Sequence, residues 1–334
     1  MKILVTGATG FIGGAAAKRL IAQGHDVRCL VRSKERAADL AEAGCDLVLG
    51  DITDADSCRA ATKGMGAVFH SAALASDYGP WETFRKINVQ GSINVAEAAL
   101  GQKVDRFVYL STNDVFGVVK NKVIDDEFPH KHTGFPYPDT KAEAERALFD
   151  LYRRRSLPLV AFRPAWVYGP GDRTFLAEIV HALAKGEMIY PGGRNKALHL
   201  NYIDNLLDAL MLGFENKDAI GRGYIVTDGP ATTWEEIINT LALGLGLKQP
   251  RVALPSSVGY LAAAGMETAW KLVGAASRPL LTRYAVTFMT ADMRYTNARI
   301  REELGYEPKV MPHEGLHRSV EWLRDLDLES LKTK

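Results

Sequence analysis

Cysteine is scarce in this chain. Cys29, Cys45 and Cys58 are the three cysteines among 334 residues, too few and too odd a number for a disulfide framework. They read as core or partly buried thiols of a reducing compartment. No cysteine–histidine set has zinc-site spacing and the eight histidines are scattered, so no metal is expected. An excess of one charge is also missing. Lys+Arg number 41 against 40 Asp+Glu, a formal net charge of +1, which gives a nucleic-acid or polyanion partner no field to follow. The basic run Arg153-Arg154-Arg155 reads as a solvated helix end.

Long hydrophobic runs are lacking too. The late region 252–276 is the most apolar, but Pro255, Ser256, Ser257, Glu267 and Lys271 interrupt it. It is too broken for a transmembrane segment and leaves open a greasy helical surface near a substrate mouth or a bilayer. The N-terminus, Met1-Lys2-Ile3-Leu4-Val5-Thr6, reads as a strand running into glycines, not as a cleavable leader. A cytoplasmic, at most membrane-peripheral, protein is expected. The chain is 47% hydrophobic and 24% charged, the balance of an ordinary globular protein, which excludes disorder and collagen-like architecture.

What is present is an alternation of short apolar strands and amphipathic helices. Strands are expected at Ile3–Thr6, Val27–Val31, Leu47–Leu49, Ala67–His70, Phe107–Leu110 and Leu159–Phe162. Helices fit 11–23, 55–63, 83–100 and 138–155. This order predicts an α/β fold, a doubly wound parallel sheet with right-handed crossovers. Beyond about residue 164 the pattern is less regular. A helix at 203–213 and a strand at 223–227 are expected, then a helix capped by Thr232 or Thr233 with Glu235 and Glu236 in its first turn. Residues 1–165 are read as mainly a dinucleotide-binding domain. Residues 166–330 are read as mainly a smaller C-terminal substrate lobe, with 200–230 returning to the sheet.

Gly7, Gly10 and Gly13 follow the first strand and open the first helix. In that context they form a phosphate cradle of the Rossmann type. Glycines let the pyrophosphate approach the backbone, and the helix start, with Thr9, Phe11 and Ile12, presents free amides. At the end of the second strand stand Arg32 and Ser33 where a carboxylate would bind the ribose hydroxyls of NAD. Arg32 suits a 2′-phosphate and Ser33 can add a hydrogen bond, which favours NADP over NAD. Ser33 is also suited to cap the next helix, although Arg36 replaces the acid of a full capping box. Asp51, with Ile52, is a candidate contact for the adenine, or caps the helix after it.

Tyr137 and Lys141 are four residues apart at the start of a helix and share one face. Lys141 would lower the phenol pKa and hold the nicotinamide ribose; Tyr137 would pass a proton to a carbonyl oxygen or take one from an alcohol. Thr112, at the end of the fifth strand, would orient the substrate oxygen, with Ser111 as its neighbour and competitor and Asn113 as a substrate contact.

These pieces resemble the extended short-chain dehydrogenase/reductase family, over nearly the whole chain. They are Thr6-Gly7-Ala8-Thr9-Gly10-Phe11-Ile12-Gly13, Asp51-Ile52, His70-Ser71-Ala72-Ala73, Asn88-Val89-Gln90-Gly91, Ser111-Thr112-Asn113-Asp114-Val115-Phe116-Gly117, Tyr137-Pro138-Asp139-Thr140-Lys141 and Arg163 to Gly171. The resemblance implies that Ala72 and Ala73 lie against the cofactor's central ribose and phosphates, that Pro164 and Val167 pack on the nicotinamide, and that Thr112 is the catalytic hydroxyl. It also implies a homodimer formed through helices 83–100 and 138–155. Nucleotide-sugar epimerases of the family usually carry an acid where Arg32 stands and often an arginine where Leu198 stands. Dehydratases carry an Asp-Glu pair where this chain has Asn113 and Asp114. Ser76 to Trp81, Leu281-Thr282-Arg283 and Leu304 to Pro308 are instead similar to the branch of 3β-hydroxysteroid dehydrogenases and 2-alkyl-3-ketoalkanoate reductases. The resemblance implies an apolar or bulky small-molecule carbonyl or alcohol as substrate, with Tyr78, Trp81, Trp166 and Trp270 as wall candidates. The expected function is therefore NADP-dependent interconversion of a ketone and a secondary alcohol. The alternatives are an NAD-dependent 3β-hydroxysteroid dehydrogenase, a nucleotide-sugar epimerase, and a non-catalytic dinucleotide-binding sensor or scaffold.

Overall fold

Strands that are apolar on both faces need cover on both faces, and the chain supplies it. A computed structural model describes residues 1–119, 121–275 and 277–328. In chain order the first half runs β1 (Lys2–Thr6), α1 (Phe11–Ala22), β2 (Asp26–Val31), α2 (Ala38–Glu42), β3 (Asp46–Leu49), α3 (Ala55–Thr62), β4 (Ala67–His70), α4 (Trp81–Phe84), α5 (Gly91–Gln102) and β5 (Arg106–Leu110). It continues through β6 (Val123–Ile124), α6 (Pro136–Arg155), β7 (Leu159–Pro164) and β8 (Trp166–Tyr168). The second half has α7 (Phe175–Ala184), β9 (Tyr190–Pro191), β10 (Ala197–Leu198), β11 (Leu200–Tyr202), α8 (Ile203–Glu215), β12 (Arg222–Val226) and α9 (Trp234–Gly244). Four more helices follow: α10 (Ser256–Leu272), α11 (Arg283–Met289), α12 (Ala298–Leu304) and α13 (Pro312–Arg324).

The main sheet has seven strands in the order β12-β7-β5-β4-β1-β2-β3. Every pairing in it is parallel. The fold class read from the alternation is thus the one observed. Side chains alternate between two cores, as a period of two requires. Ile3, Val5, Phe69 and Val108 pack with Ala16 and Leu20 of α1 and Leu206 and Leu210 of α8. Leu4, Val68, Phe107 and Tyr109 face Cys58 of α3, Val95 and Ala99 of α5 and Leu148 of α6. Strand order reverses between β1 and β4, which opens a crevice at their carboxyl ends.

One detail differs from the sequence reading and another is resolved by the structure. The single helix expected at 83–100 is α4, a π-helical turn over Arg85–Gln90, and then α5. The extra residue of that turn carries Asn88, which is buried and tied to other segments. Of the two threonines proposed to cap α9, Thr233 does so, in a capping box with Glu236. The run Arg153–Arg155 ends α6, where Arg153 and Arg154 pair with Asp150 and Arg155 with Glu97.

Candidate active site

β1 runs straight into Gly7, whose φ of +76° suits glycine. The Gly10 amide donates to the Gly7 carbonyl at 2.9 Å and closes the turn. A Cβ on Gly7 would stand 2.6 Å from the Ala72 nitrogen, and one on Gly13 only 2.3 Å from the Gly7 oxygen. Loop, helix and the segment after β4 are therefore pressed together at a spacing no side chain tolerates. Helix α1 begins with no side-chain cap and no acid in its first turn. Its leading amides are left for an anion, and the residues present fit the diphosphate of a dinucleotide. Thr9 is exposed and Phe11 and Ile12 are half-buried at this turn. Ala72 and Ala73 line the crevice side, with the Ala72 amide donating to Thr6 Oγ1 at 3.4 Å.

Beyond the cradle, Thr9, Arg32, Ser33 and Arg36 line an open recess of about 380 Å³. Among the described residues neither Arg32 nor Arg36 pairs with a carboxylate. The Ser33 hydroxyl accepts from the Arg36 amide at 3.3 Å and donates to Glu35 at 2.6 Å, so it bonds the turn ahead of α2 and its proton is engaged locally, while the N-cap position of α2 falls to Ala37, which has no side-chain cap. Arg36 is the basic residue at this recess that the sequence reading passed over; the signal was there, one helical turn beyond Arg32. Asp51 accepts from the Thr53 amide at 2.8 Å, while Asp54 caps α3 in its place. Ile52 packs into the core beneath Gly91 and gives its carbonyl to Asn94 and Cys58.

Thr112, Tyr137 and Lys141, the candidate proton-transfer residues, converge where β5 ends. Thr112 opens a short helical turn, its hydroxyl accepting from the Asp114 amide at 3.2 Å. Tyr137 and Lys141 lie in the first two turns of α6, which starts on Pro136. Burial and the Asp114 carboxylate raise the Tyr137 pKa, with the hydrogen bond from Thr112 opposing them. Lys141 donates to the Leu110 carbonyl at 2.7 Å and lies 4.3 Å over the Tyr109 ring. Its bond is thus to the sheet, and its charge is not among the influences on the phenol. The direct lowering of the Tyr137 pKa expected from the four-residue spacing is absent from this arrangement. Burial pushes Lys141 down to about 7, against the pull of Glu145 one turn further on. Ser111, the competitor of Thr112, has a buried hydroxyl with no hydrogen-bond partner among the described residues.

Asp114 is a buried acid that reaches across to α11. Tyr284 of α11 donates to its Oδ2 at 2.6 Å, and the Tyr284 ring stands edge-on to Tyr137 at 6.4 Å. Burial raises the Asp114 pKa to about 6, with the Tyr284 hydroxyl pulling the other way. Its folded value therefore lies above the unfolded 3.8. The fold favours the protonated acid, a stabilisation present below pH 3.8 and lost as pH rises through 6. Asp114→Asn keeps an acceptor for Tyr284 and cannot ionise. Urea unfolding from pH 4 to 7.5 should show the variant gaining on the wild type by about 3 kcal/mol as pH rises to 6, then holding level. A gap that does not change with pH would refute the assignment.

Behind α6 lies a buried ionic cluster. Glu145 Oε1 accepts from Arg163 Nε at 2.9 Å and from a terminal nitrogen at 2.6 Å, with His130 Nε2 at 3.2 Å. Burial opposes the charge on Glu145, but Arg163 and His130 outweigh it and hold the pKa far below the usual range. Asn88 fastens the front of the site, accepting from the Leu74 amide at 2.7 Å and donating to Thr140 at 3.0 Å. Sequence reasoning quoted Asn88 and Arg163 within motifs but gave neither a task.

The aromatic residues beside Tyr137 are not the ones the sequence singled out as wall candidates. Phe135, Tyr284 and Phe288 form the aromatic cluster that meets Tyr137, with Tyr284 and Phe288 centroids 4.8 Å apart and Phe135 and Tyr284 5.6 Å apart. None of the three was singled out, although Tyr284 and Phe288 are spaced i, i+4. Trp81 is 37% exposed with the Arg85 guanidinium over its ring, a surface position. Trp166 packs on Phe175 and Trp234 at the foot of the lobe. Tyr78 is half-buried in the loop before α4, where its backbone bonds Ser76. Asn113 is buried beside Thr112. Pro164 ends β7 opposite Val226, and Val167 of β8 pairs with Asn201. Trp270 lies on α10 with its indole nitrogen buried and without a hydrogen-bond partner among the described residues.

Residues 3–227 match the model of the NAD dependent epimerase/dehydratase family. A 2-alkyl-3-oxoalkanoate reductase of Stenotrophomonas maltophilia is 31% identical over 326 residues, 95% of this chain and 98% of that one. A 3-beta-hydroxysteroid dehydrogenase of Mycolicibacterium neoaurum is 26% identical over 97% of this chain and 92% of its own. Among solved structures, gox2253 superposes with a TM-score of 0.80 at 28% identity, covering 97% of this chain and 98% of the other. The UDP-glucose 4-epimerase of Thermotoga maritima, at 23% identity and a TM-score of 0.78 over 97% of this chain and 99% of its own, shares the fold. Glycine cradle, parallel sheet and family match agree: the chain belongs to the NAD dependent epimerase/dehydratase family of extended short-chain dehydrogenases/reductases and is an NAD(P)-dependent oxidoreductase.

Proposed function

We propose that the protein interconverts a ketone and a secondary alcohol on an apolar small molecule, with NADP as its cofactor. The observation that carries this reading is the meeting of Tyr137, held by Thr112, with the aromatic cluster of Phe135, Tyr284 and Phe288. A proton donor thus stands against an apolar surface. When bound, the nicotinamide supplies or accepts the hydride. Tyr137, its pKa raised, stays protonated at neutral pH and donates to the developing alkoxide. Thr112 orients the same oxygen, and Lys141 at the end of β5 holds the ribose side. Two relatives support the substrate class by name, one an oxoalkanoate reductase and one a hydroxysteroid dehydrogenase. A consumption screen of both cofactors against β-keto acids and esters, steroids, aromatic ketones and nucleotide sugars tests the proposal. Turnover confined to nucleotide sugars would overturn it.

The recess of Arg32 and Arg36 supports NADP, because two guanidiniums free of carboxylate partners suit a 2′-phosphate. Replacing both arginines by alanine should weaken NADP binding by roughly 10–100-fold, the loss of charge-assisted hydrogen bonds, and leave NAD binding nearly unchanged. Titration by fluorescence reads both constants, and tighter NAD binding in the wild type would favour the 3β-hydroxysteroid dehydrogenase reading instead. A homodimer formed through α5 and α6 belongs to the same proposal and is read by sedimentation.

A further inference from the structure

Helix α10 is amphipathic in the wrong sense for a soluble surface. It buries Gly259, Ala263 and Glu267, which are spaced i, i+4, i+8 and share one face. On the opposite side it presents Val258 at 49% exposure, Leu261 at 73% and Leu272 at 83%. Val273 at 74% and Leu280 at 77% continue the apolar surface past its end. An ordinary surface helix turns its large apolar residues inward and its polar ones outward. Large apolar side chains held this exposed along one side of a helix mark a contact surface.

Charge identifies the occupant. Between residues 248 and 275 the charged residues are Lys248, Arg251, Glu267 and Lys271. The three cations are exposed, while the lone acid is buried and engaged by the Arg283 amide at 2.7 Å and by its guanidinium at 2.8 Å. An apolar stripe flanked by exposed positive charge alone complements an anionic lipid surface. No helix among the described residues is long and apolar enough to cross a membrane, and buried Glu267 ties α10 to the protein, so the helix would lie in the interface.

We propose that α10 docks the enzyme on anionic lipid bilayers. The site lies directly behind the docked face. Gly259 sets α10 against Val286 of α11, and α11 carries Tyr284 to Asp114 and Tyr137. An apolar substrate dissolved in the bilayer would meet the aromatic cluster one helix away. The docking claim does not depend on the reaction proposed above, because vesicle binding is read without turnover.

The test is co-sedimentation with vesicles of phosphatidylcholine alone and of phosphatidylcholine mixed with phosphatidylglycerol. The wild type should bind the anionic vesicles at least tenfold more than the neutral ones. The L261S/L272S/V273S variant changes exposed positions only, so it should keep its unfolding midpoint and lose binding to anionic vesicles at least tenfold. Equal binding by variant and wild type, or no binding by the wild type, would overturn the proposal. So would a wild-type dimer that becomes monomeric in the variant without any vesicle binding, since the stripe would then be a contact between copies.

Discussion

Tyr137→Phe is expected to lower kcat by a factor of about 10²–10⁴, the usual contribution of a positioned general acid, while cofactor affinity stays nearly unchanged. In the proposed reaction the phenol donates the proton, and Phe keeps the ring that meets Tyr284 edge-on. The raised Tyr137 pKa keeps the proton in place across neutral pH, so wild-type reduction should not fall off with ionisation of this group below pH 9. Stopped-flow single turnovers with a saturating ketone separate the hydride step from product release. Wild-type single-turnover rates in the variant would remove Tyr137 from the mechanism. Thr112→Ala should show a smaller loss, because it orients the oxygen but does not supply the proton.

Glu145→Ala should cost about 3–5 kcal/mol of stability, the penalty for leaving a buried charge unpaired. Glu145 is fully buried and Arg163 is 6% exposed, so water cannot replace the lost carboxylate. The substitution also removes the charge that draws the Lys141 pKa upward. Lys141 would then be neutral over more of the pH range, and the ammonium that holds the ribose side would be lost at lower pH. Chemical denaturation gives the stability loss; a pH profile of kcat/KM shifted to lower pH gives the second effect. Glu145→Gln, which retains an acceptor for Arg163, should fall between the two. A loss below about 1 kcal/mol in the alanine variant would place this pair with exposed salt bridges.

Much of the frame was legible because it depends on local rules. Apolar runs such as Ala67–His70 could only be interior strands, and Gly7, Gly10 and Gly13 could only follow a strand and open a helix at that spacing. Tyr137 and Lys141 share a helix face by geometry alone. The π-helical turn at Arg85–Gln90 was not legible, because its cause is a set of bonds from Asn88 to Leu74 and Thr140, up to 52 residues away. The aromatic cluster beside Tyr137 was not legible for the same reason. Trp81 and Phe288 look alike as apolar candidates in a sequence, and only packing puts one at the surface and the other beside Phe135.

By itself, then, the order of residues determined the alternation of strands and helices, the glycine turn that opens α1 and the shared helix face of Tyr137 and Lys141. Each of these follows from periodicity or from the stereochemistry of residues close in the chain. Tertiary structure alone decided the partners: Lys141 with the Leu110 carbonyl, Asp114 with Tyr284, Glu145 with Arg163, and the outward turn of Leu261 and Leu272 on α10. Those pairings set charge states and exposure. They depend on distances between segments far apart in the chain, which a local pattern does not encode.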